Sequence, residues 1–138
     1  QRYANKLSGP ILDRIDLHIW VEPISTDQFF ATAAPEDSKT IRKRVQICRE
    51  RQSNRYQNTH YVCNADLSGE ALWTHCQLNK DCTRWLIDVA NQEVMSARSI
   101  ARVLKVARTI ADLSQADDIS TDHIAEAIGY KVAAEVIQ

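Results

Sequence analysis

The residues best suited to chemistry are three cations on one predicted helix, Arg98, Arg102 and Lys105. Their spacing would place them on adjoining turns of the helix. A guanidinium is permanently charged and donates from a planar fork, which suits it to binding a phosphate group. We therefore consider a phosphate-binding role for Arg98, at the start of the helix. The simpler alternative is that all three are solvated charges beside a buried helical face.

The helix that would position these cations is predicted from about Arg98 to Leu113, with Ser96 as its N-cap. Neither Gly nor Pro interrupts the stretch, which favours one long helix. We expect this helix at the centre of the core, because its apolar residues recur at helical spacing. These residues are Ile100, Val103, Leu104, Val106, Ala107, Ile110 and Ala111.

Capping and periodicity signals predict three further helices around this one. Ser68 is the candidate N-cap of a short helix through about Cys76, and Asn79 begins another through about Val94. Ser120 caps a last helix that we expect to end at Gly129. The predicted fold is therefore mainly α, with a small helical bundle from about residue 68 to 128.

The beginning of the chain has a different pattern. The run from Leu17 to Val21 is β-branched and aromatic and has the length of a strand. Because a lone strand is not stable, we expect it to belong to a sheet whose other strands are absent. We therefore divide the chain into 1–24, a remnant of an α/β core, 25–58, a connection and a basic helix, and 59–138, a helical domain.

A second set of cations lies on the basic helix, predicted from about Ser38 to Arg55 with Ile41, Val45 and Cys48 on its apolar face. A basic helix can follow a nucleic-acid backbone. Alternatively, it is a solvated helix facing an acidic neighbour, since residues 59–138 carry more acidic than basic residues. The candidates for contact with a nucleic acid are Arg42, Arg49 and Arg55.

Other features limit the possible chemistry. The cysteines, Cys48, Cys63, Cys76 and Cys82, lack the C-x-x-C spacing of a zinc site, so we expect reduced structural thiols and no metal. The sequence also lacks the G-x-x-x-x-G-K-[ST] motif that cradles a triphosphate. The sequence contains no run of about eighteen apolar residues, so it predicts no membrane span.

Two stretches resemble the magnesium-chelatase-like AAA+ family. Residues 3–19, Tyr-Ala-Asn-Lys-Leu-Ser-Gly-Pro-Ile-Leu-Asp-Arg-Ile-Asp-Leu-His-Ile, are similar to the segment that closes the ATPase core in that family. Residues 96–113 are similar to its lid-domain signature. The resemblance covers nearly the whole chain and is strongest to the ComM/YifB subgroup. It implies an AAA+ helical lid domain preceded by the end of the ATPase core.

The resemblance also implies roles for individual residues. Arg14 matches the arginine finger, which acts in trans on the γ-phosphate, and Arg98 matches the sensor-2 arginine of the lid. Arg102, one turn further along, is the weaker candidate for that nucleotide contact. The Walker A, Walker B and sensor-1 motifs would precede Gln1 in a longer parent protein, so we expect the chain alone to be inactive.

For the parent, the resemblance implies a cytoplasmic bacterial ATPase that uses ATP and Mg²⁺. It would form a hexameric ring and move along branched DNA in recombination. The chain alone is expected to be a monomer without a bound cofactor or a membrane contact. Two alternatives are a motor subunit for metal insertion into a tetrapyrrole and a stand-alone helical interaction module. The predicted unpaired strand argues against the module.

Overall fold

The computed structural model describes residues 15–19, 21–26, 30 and 36–132. Five helices account for most of this described part, which contains no strand. The prediction of a mainly α fold with a small helical bundle is therefore confirmed. The helices are α1 (Ser38–Arg55), α2 (Gly69–His75), α3 (Lys80–Gln92), α4 (Ala97–Leu113) and α5 (Thr121–Val132), with a 3₁₀ turn at Asn64–Asp66 between α1 and α2.

Helix α4 lies at the centre of the bundle, as its apolar pattern predicts. It packs against α1, α2, α5 and the 3₁₀ turn. Leu104, Ala107 and Ala111 of its apolar face are completely buried, and Ile124 of α5 is buried with them in the same core. Because fully burying a Leu or Ile side chain contributes about 1.5–3 kcal/mol, this contact fixes the position of α4 within the fold.

Side-chain caps determine where several helices begin. The Ser96 hydroxyl accepts the Ser99 N–H at 3.1 Å, and the Asn79 side chain accepts the Cys82 N–H at 2.8 Å. These two caps confirm the predicted starts of α4 and α3, and such a cap contributes about 1 kcal/mol. Ser68, in contrast, occupies the N-cap position of α2 without a side-chain hydrogen bond.

The predicted end of the last helix is wrong. Gly129 lies inside α5, which continues to Val132. Tyr130 follows Gly129 and packs against the core, and its hydroxyl donates to Glu126 at 3.0 Å. A glycine inside a helix costs only about 1 kcal/mol relative to alanine, so the contacts of the next turn outweigh it.

The strand predicted at residues 17–21 is also wrong for the described residues, 17–19 and 21, which are not part of a sheet. A strand requires ladder partners on a neighbouring strand, and the described part offers none. The His18 N–H instead donates to the Tyr130 carbonyl of α5 at 2.8 Å. This part of the chain is therefore attached to the helical bundle.

Helix α1 is less buried than its sequence pattern predicts. Cys48 is buried, but Ile41 and Val45 on the same predicted face are exposed. Only the C-terminal half of α1 therefore contributes to the packed interior, through Cys48 and Gln52. None of the helices in the described part combines the length and apolar character needed to cross a bilayer.

Candidate functional site

Arg98 is the second residue of α4, two positions after the Ser96 cap. Its side chain is exposed, and it forms no ion pair within the described part of the chain. The unpaired N–H groups at the start of a helix add a partial positive charge. The local arrangement therefore leaves a cationic fork free to meet an anion.

Arg102 has a different environment, although it lies on the next turn of the same helix. Its Nε is 3.1 Å from the Asp16 carboxylate oxygen Oδ1, and its side chain is 18% exposed. Asp16 lies two residues before His18, whose N–H donates to the Tyr130 carbonyl of α5. In this structure Arg102 therefore binds a carboxylate of its own chain. Arg14, the predicted arginine finger, lies outside the described residues.

A buried polar cluster, which the sequence analysis missed, joins α1, the 3₁₀ turn and α4. Its centre is the completely buried Asp112. Asp112 accepts hydrogen bonds from Arg55 Nη1 at 2.8 Å and from Asn64 Nδ2 at 2.9 Å, and pairs with Arg108 Nη2 at 3.2 Å. The second Arg55 fork nitrogen, Nη2, also donates to Asp112. The cluster holds α1 against α4.

The members of this cluster shift one another's pKa values. Burial alone would raise the pKa of Asp112, but hydrogen bonds from Arg55 and Asn64, together with the charge of Arg108, outweigh burial and hold the pKa below its usual range. Hydrogen bonding to Asp112 raises the pKa of Arg55. Burial lowers the pKa of Arg108, which the charge of Asp112 opposes. The charges are therefore paired and structural.

One signal in the sequence could have revealed this cluster. Arg108 and Asp112 are four residues apart and fall among the apolar residues of α4. Charged side chains on a buried face require partners, because an unpaired buried charge is very unfavourable. The pattern thus indicates a buried ion pair, but it does not reveal the third member, Arg55, which lies 57 residues before Asp112.

The basic residues of α1 fall into two sets. Arg44 pairs with Glu36 at 2.8 Å, Arg51 with Asp117 at 2.6 Å, and Arg55 with Asp112. Arg51 also donates to the Ala116 carbonyl at 3.2 Å. These three bind acidic residues of their own chain, and Arg55 is held in the Asp112 cluster. Arg51 and Arg55 fit the alternative of a helix facing an acidic neighbour in residues 59–138, whereas the partner of Arg44 lies just before α1.

The second set is exposed on the surface of α1. Its members form no salt bridge with any residue that the structure describes. Arg42 and Arg49 lie on the same side of α1, about 10.5 Å apart along its axis, because a helix rises about 1.5 Å per residue. We refer to this surface as the basic face; it consists of Lys39, Arg42, Lys43 and Arg49.

The cysteines are free thiols, and Cys48, Cys76 and Cys82 are buried while Cys63 is half-buried. Burial raises the pKa of Cys76 to about 11. Among the described residues, no group of three potential metal ligands comes together. The thiols therefore pack as small apolar side chains.

Two protein families match different stretches of the chain. Residues 35–131 match the family described as magnesium chelatase, subunit ChlI C-terminal. Residues 1–29 match the family described as magnesium chelatase, subunit ChlI. The first match covers α1 to α4, all of α5 except Val132, the basic face and the Asp112 cluster.

Several curated proteins are similar over nearly the whole chain. The uncharacterized protein YifB of Salmonella typhimurium is 42% identical over 94% of this chain, and YifB of Escherichia coli is 38% identical over 94%. The competence protein ComM of Haemophilus influenzae is 37% identical over 99%. The chain spans only about a quarter of the length of these relatives. Because the C-terminal family match covers more than half of its residues, the chain belongs to the magnesium chelatase ChlI C-terminal family.

Proposed function

We propose that the chain is the C-terminal lid region of a cytoplasmic bacterial AAA+ ATPase and that Arg98 contacts the γ-phosphate of ATP as its sensor-2 residue. The observation that supports this most is the difference between Arg98 and the other arginines of α4. Arg102 and Arg108 bind carboxylates, whereas Arg98 is exposed and has no ion-pair partner in the described part of the chain. It is thus the arginine of α4 that a phosphate can reach.

Negative charge on the transferred phosphoryl oxygens must be stabilised during hydrolysis, and a fixed guanidinium does so without a proton transfer. In this proposal, Arg98 acts within its own subunit. Arg14 acts as the arginine finger on the nucleotide of a neighbouring subunit in a hexameric ring. Nucleotide state would then be coupled to the position of α4.

The residues of this chain fit only part of a nucleotide site. Arg98 can meet a phosphate, but the sequence has no glycine-rich triphosphate cradle. ATP and Mg²⁺ would therefore be held mainly by residues that precede this chain in the parent. We expect the chain alone to remain monomeric and to hydrolyse no ATP.

For the client of this motor we propose branched DNA. The basic face on α1 supports this, since its cations are exposed and form no salt bridge with described residues, and such cations can neutralise backbone phosphates. One relative is named a competence protein, which is in keeping with DNA as the client. Arg42 and Arg49 are the residues that we expect to contact DNA.

The ATPase proposal is tested in the full-length parent by Arg98→Ala. We expect the ATP hydrolysis rate to fall by roughly a hundredfold, because removing an arginine from the γ-phosphate has effects of this order or larger. Arg84→Ala is the matched control, since Arg84 is another exposed arginine, on α3. Near-wild-type turnover in the Arg98 variant would remove the sensor-2 assignment.

A second candidate client is a tetrapyrrole into which magnesium is inserted. The family descriptions, which name magnesium chelatase, favour this alternative. The two clients are distinguished by measuring ATP hydrolysis of the parent with branched DNA and, separately, magnesium incorporation into a porphyrin. Stimulation by DNA without magnesium incorporation supports the DNA motor, and the opposite result supports the chelatase.

A further inference from the structure

The segment at residues 16–19 is attached to the helical bundle by an ion pair and a backbone hydrogen bond, and it borders a groove beside α4. At one end, the Asp16 carboxylate pairs with Arg102 of α4 at 3.1 Å. Further along, the His18 N–H donates to the Tyr130 carbonyl of α5 at 2.8 Å. Leu17 and Ile19 line a groove of about 330 Å³ together with Val106, Ile110 and Leu113 of α4. The segment therefore lies along α4.

Arg102 is well suited to hold this segment. Its side chain is only 18% exposed, and its Nε faces Asp16. It lies four residues after Arg98 on the same uninterrupted helix, about 6 Å along the axis at 1.5 Å per residue. A shift of α4 that moves Arg102 therefore moves Arg98 as well.

Asp16 is also close in sequence to Arg14, the proposed arginine finger, which lies two positions before it. The ion pair between Asp16 and Arg102 thus joins the segment that follows the proposed arginine finger to the helix that carries the proposed sensor-2 residue. A direct nucleotide contact by Arg102 would require this ion pair to open.

We propose that Asp16 and Arg102 are positioning residues for ATP hydrolysis, whose ion pair couples the segment after Arg14 to the lid helix of Arg98. This inference rests on the proposed ATPase function. In it, Arg102 does not bind the nucleotide; it fixes the orientation of α4 relative to the end of the ATPase core. Loss of the ion pair between Asp16 and Arg102 should lower kcat and leave the KM for ATP nearly unchanged.

The test compares four variants of the full-length parent: Asp16→Asn, Arg102→Gln, the double variant and the charge swap Asp16→Arg/Arg102→Asp. We expect each single variant to lower kcat by about fivefold, the upper end of what a partly exposed ion pair contributes. The double variant should be no slower than either single one, because both remove the same interaction. The charge swap should recover at least half of the wild-type kcat.

Glu22→Gln is the matched control for Asp16→Asn, since Glu22 is an exposed acid three residues after this segment and forms no salt bridge within the described residues. Arg102→Lys keeps the charge and guards against loss of folding in Arg102→Gln. We expect the KM for ATP to stay within about twofold in all variants, as the nucleotide contacts are unchanged.

Two results would overturn the positioning role. One is a tenfold rise in the KM for ATP in Arg102→Gln while Asp16→Asn keeps the wild-type kcat and KM. This result would make Arg102 a nucleotide ligand. The other is unchanged kcat in both single variants while the wild-type parent hydrolyses ATP. Failure of the wild-type parent to hydrolyse ATP would instead overturn the proposed function itself, and the positioning role with it.

Discussion

Arg55 Nη1 lies 2.8 Å from Asp112 Oδ2 and thereby connects the end of α1 to the end of α4. Asp112 is completely buried, and the Arg55 side chain is only 19% exposed. Arg55 belongs to the set of α1 cations that pair with acidic residues. Arg51 and Arg55 tie α1 to acidic residues later in the chain, whereas the cations of the basic face form no salt bridge with any described residue.

We predict that Asp112→Ala destabilises the chain by about 3 kcal/mol or more, since removing one member of a buried ion pair leaves its partners uncompensated. Arg108, which is only 5% exposed, would lose its carboxylate, and Asn64 would lose an acceptor. Urea unfolding of the chain, followed by circular dichroism, measures the free energy of unfolding.

The control is Asp88→Ala, which removes an exposed acid of α3 that has no salt bridge within the described residues. We expect its effect to stay within about 0.5 kcal/mol, as is usual for surface substitutions. Equal effects of the two substitutions would show that the Asp112 cluster does not stabilise the fold.

The contribution of Asp112 should depend on pH. Its pKa in the folded chain lies below the usual value, so the unfolded chain binds more protons in acid. The stabilisation is therefore complete above about pH 4, near the ordinary aspartate pKa, and is lost as pH falls through the lower folded pKa. The difference in unfolding free energy between wild type and Asp112→Asn should shrink from pH 6 to pH 2. A constant difference would contradict this cause.

Local signals in the sequence correctly predicted most of the helical bundle. Ser96 and Asn79 cap helices where expected, and the apolar spacing from Ile100 to Ala111 identified the central helix. These features depend on neighbours within one or two turns, which a sequence shows directly. The end of α5 was missed at Gly129, because contacts of Tyr130 with distant residues continue the helix.

The candidate site was less accessible to sequence reasoning. The basic character of α1 was evident, but the roles of Arg49 and Arg55 depend on which acidic residues lie opposite them. Asp112 is 57 residues from Arg55, so charge counting alone could not assign that pair. The pairing of Arg102 with Asp16 likewise depends on the course of the chain between them.

Two glycines should respond to alanine substitution in opposite directions. Gly129 lies inside α5, and an added Cβ would meet nothing within 4 Å, so Gly129→Ala should stabilise the chain by up to about 1 kcal/mol. Gly69 has equally open surroundings but a φ of +52°, so Gly69→Ala should destabilise by about 1 kcal/mol. Thermal unfolding compares the two, and a shift of the same sign in both would be inconsistent with these backbone conformations.

The cysteines should differ in reactivity under native conditions. Burial raises the pKa of Cys76 to about 11, so only about a thousandth of this thiol is ionised at pH 8. Cys63 is half-buried and should react with iodoacetamide well before Cys76. Mass spectrometry of timed digests gives the order of labelling, with the unfolded chain in urea as the control. Labelling of Cys76 at the rate of Cys63 would show that the core around it is open.

The basic face provides the last prediction. Arg42→Gln/Arg49→Gln should weaken DNA binding by the full-length parent and make the dependence of log K on log salt concentration shallower by about 1.8, since each phosphate contact contributes about 0.9. The control, Arg44→Gln/Arg84→Gln, removes the same charge outside the basic face. Fluorescence anisotropy with labelled branched DNA at several salt concentrations gives both slopes. Equal slopes in the two variants would mean that net charge, and not this face of α1, determines binding.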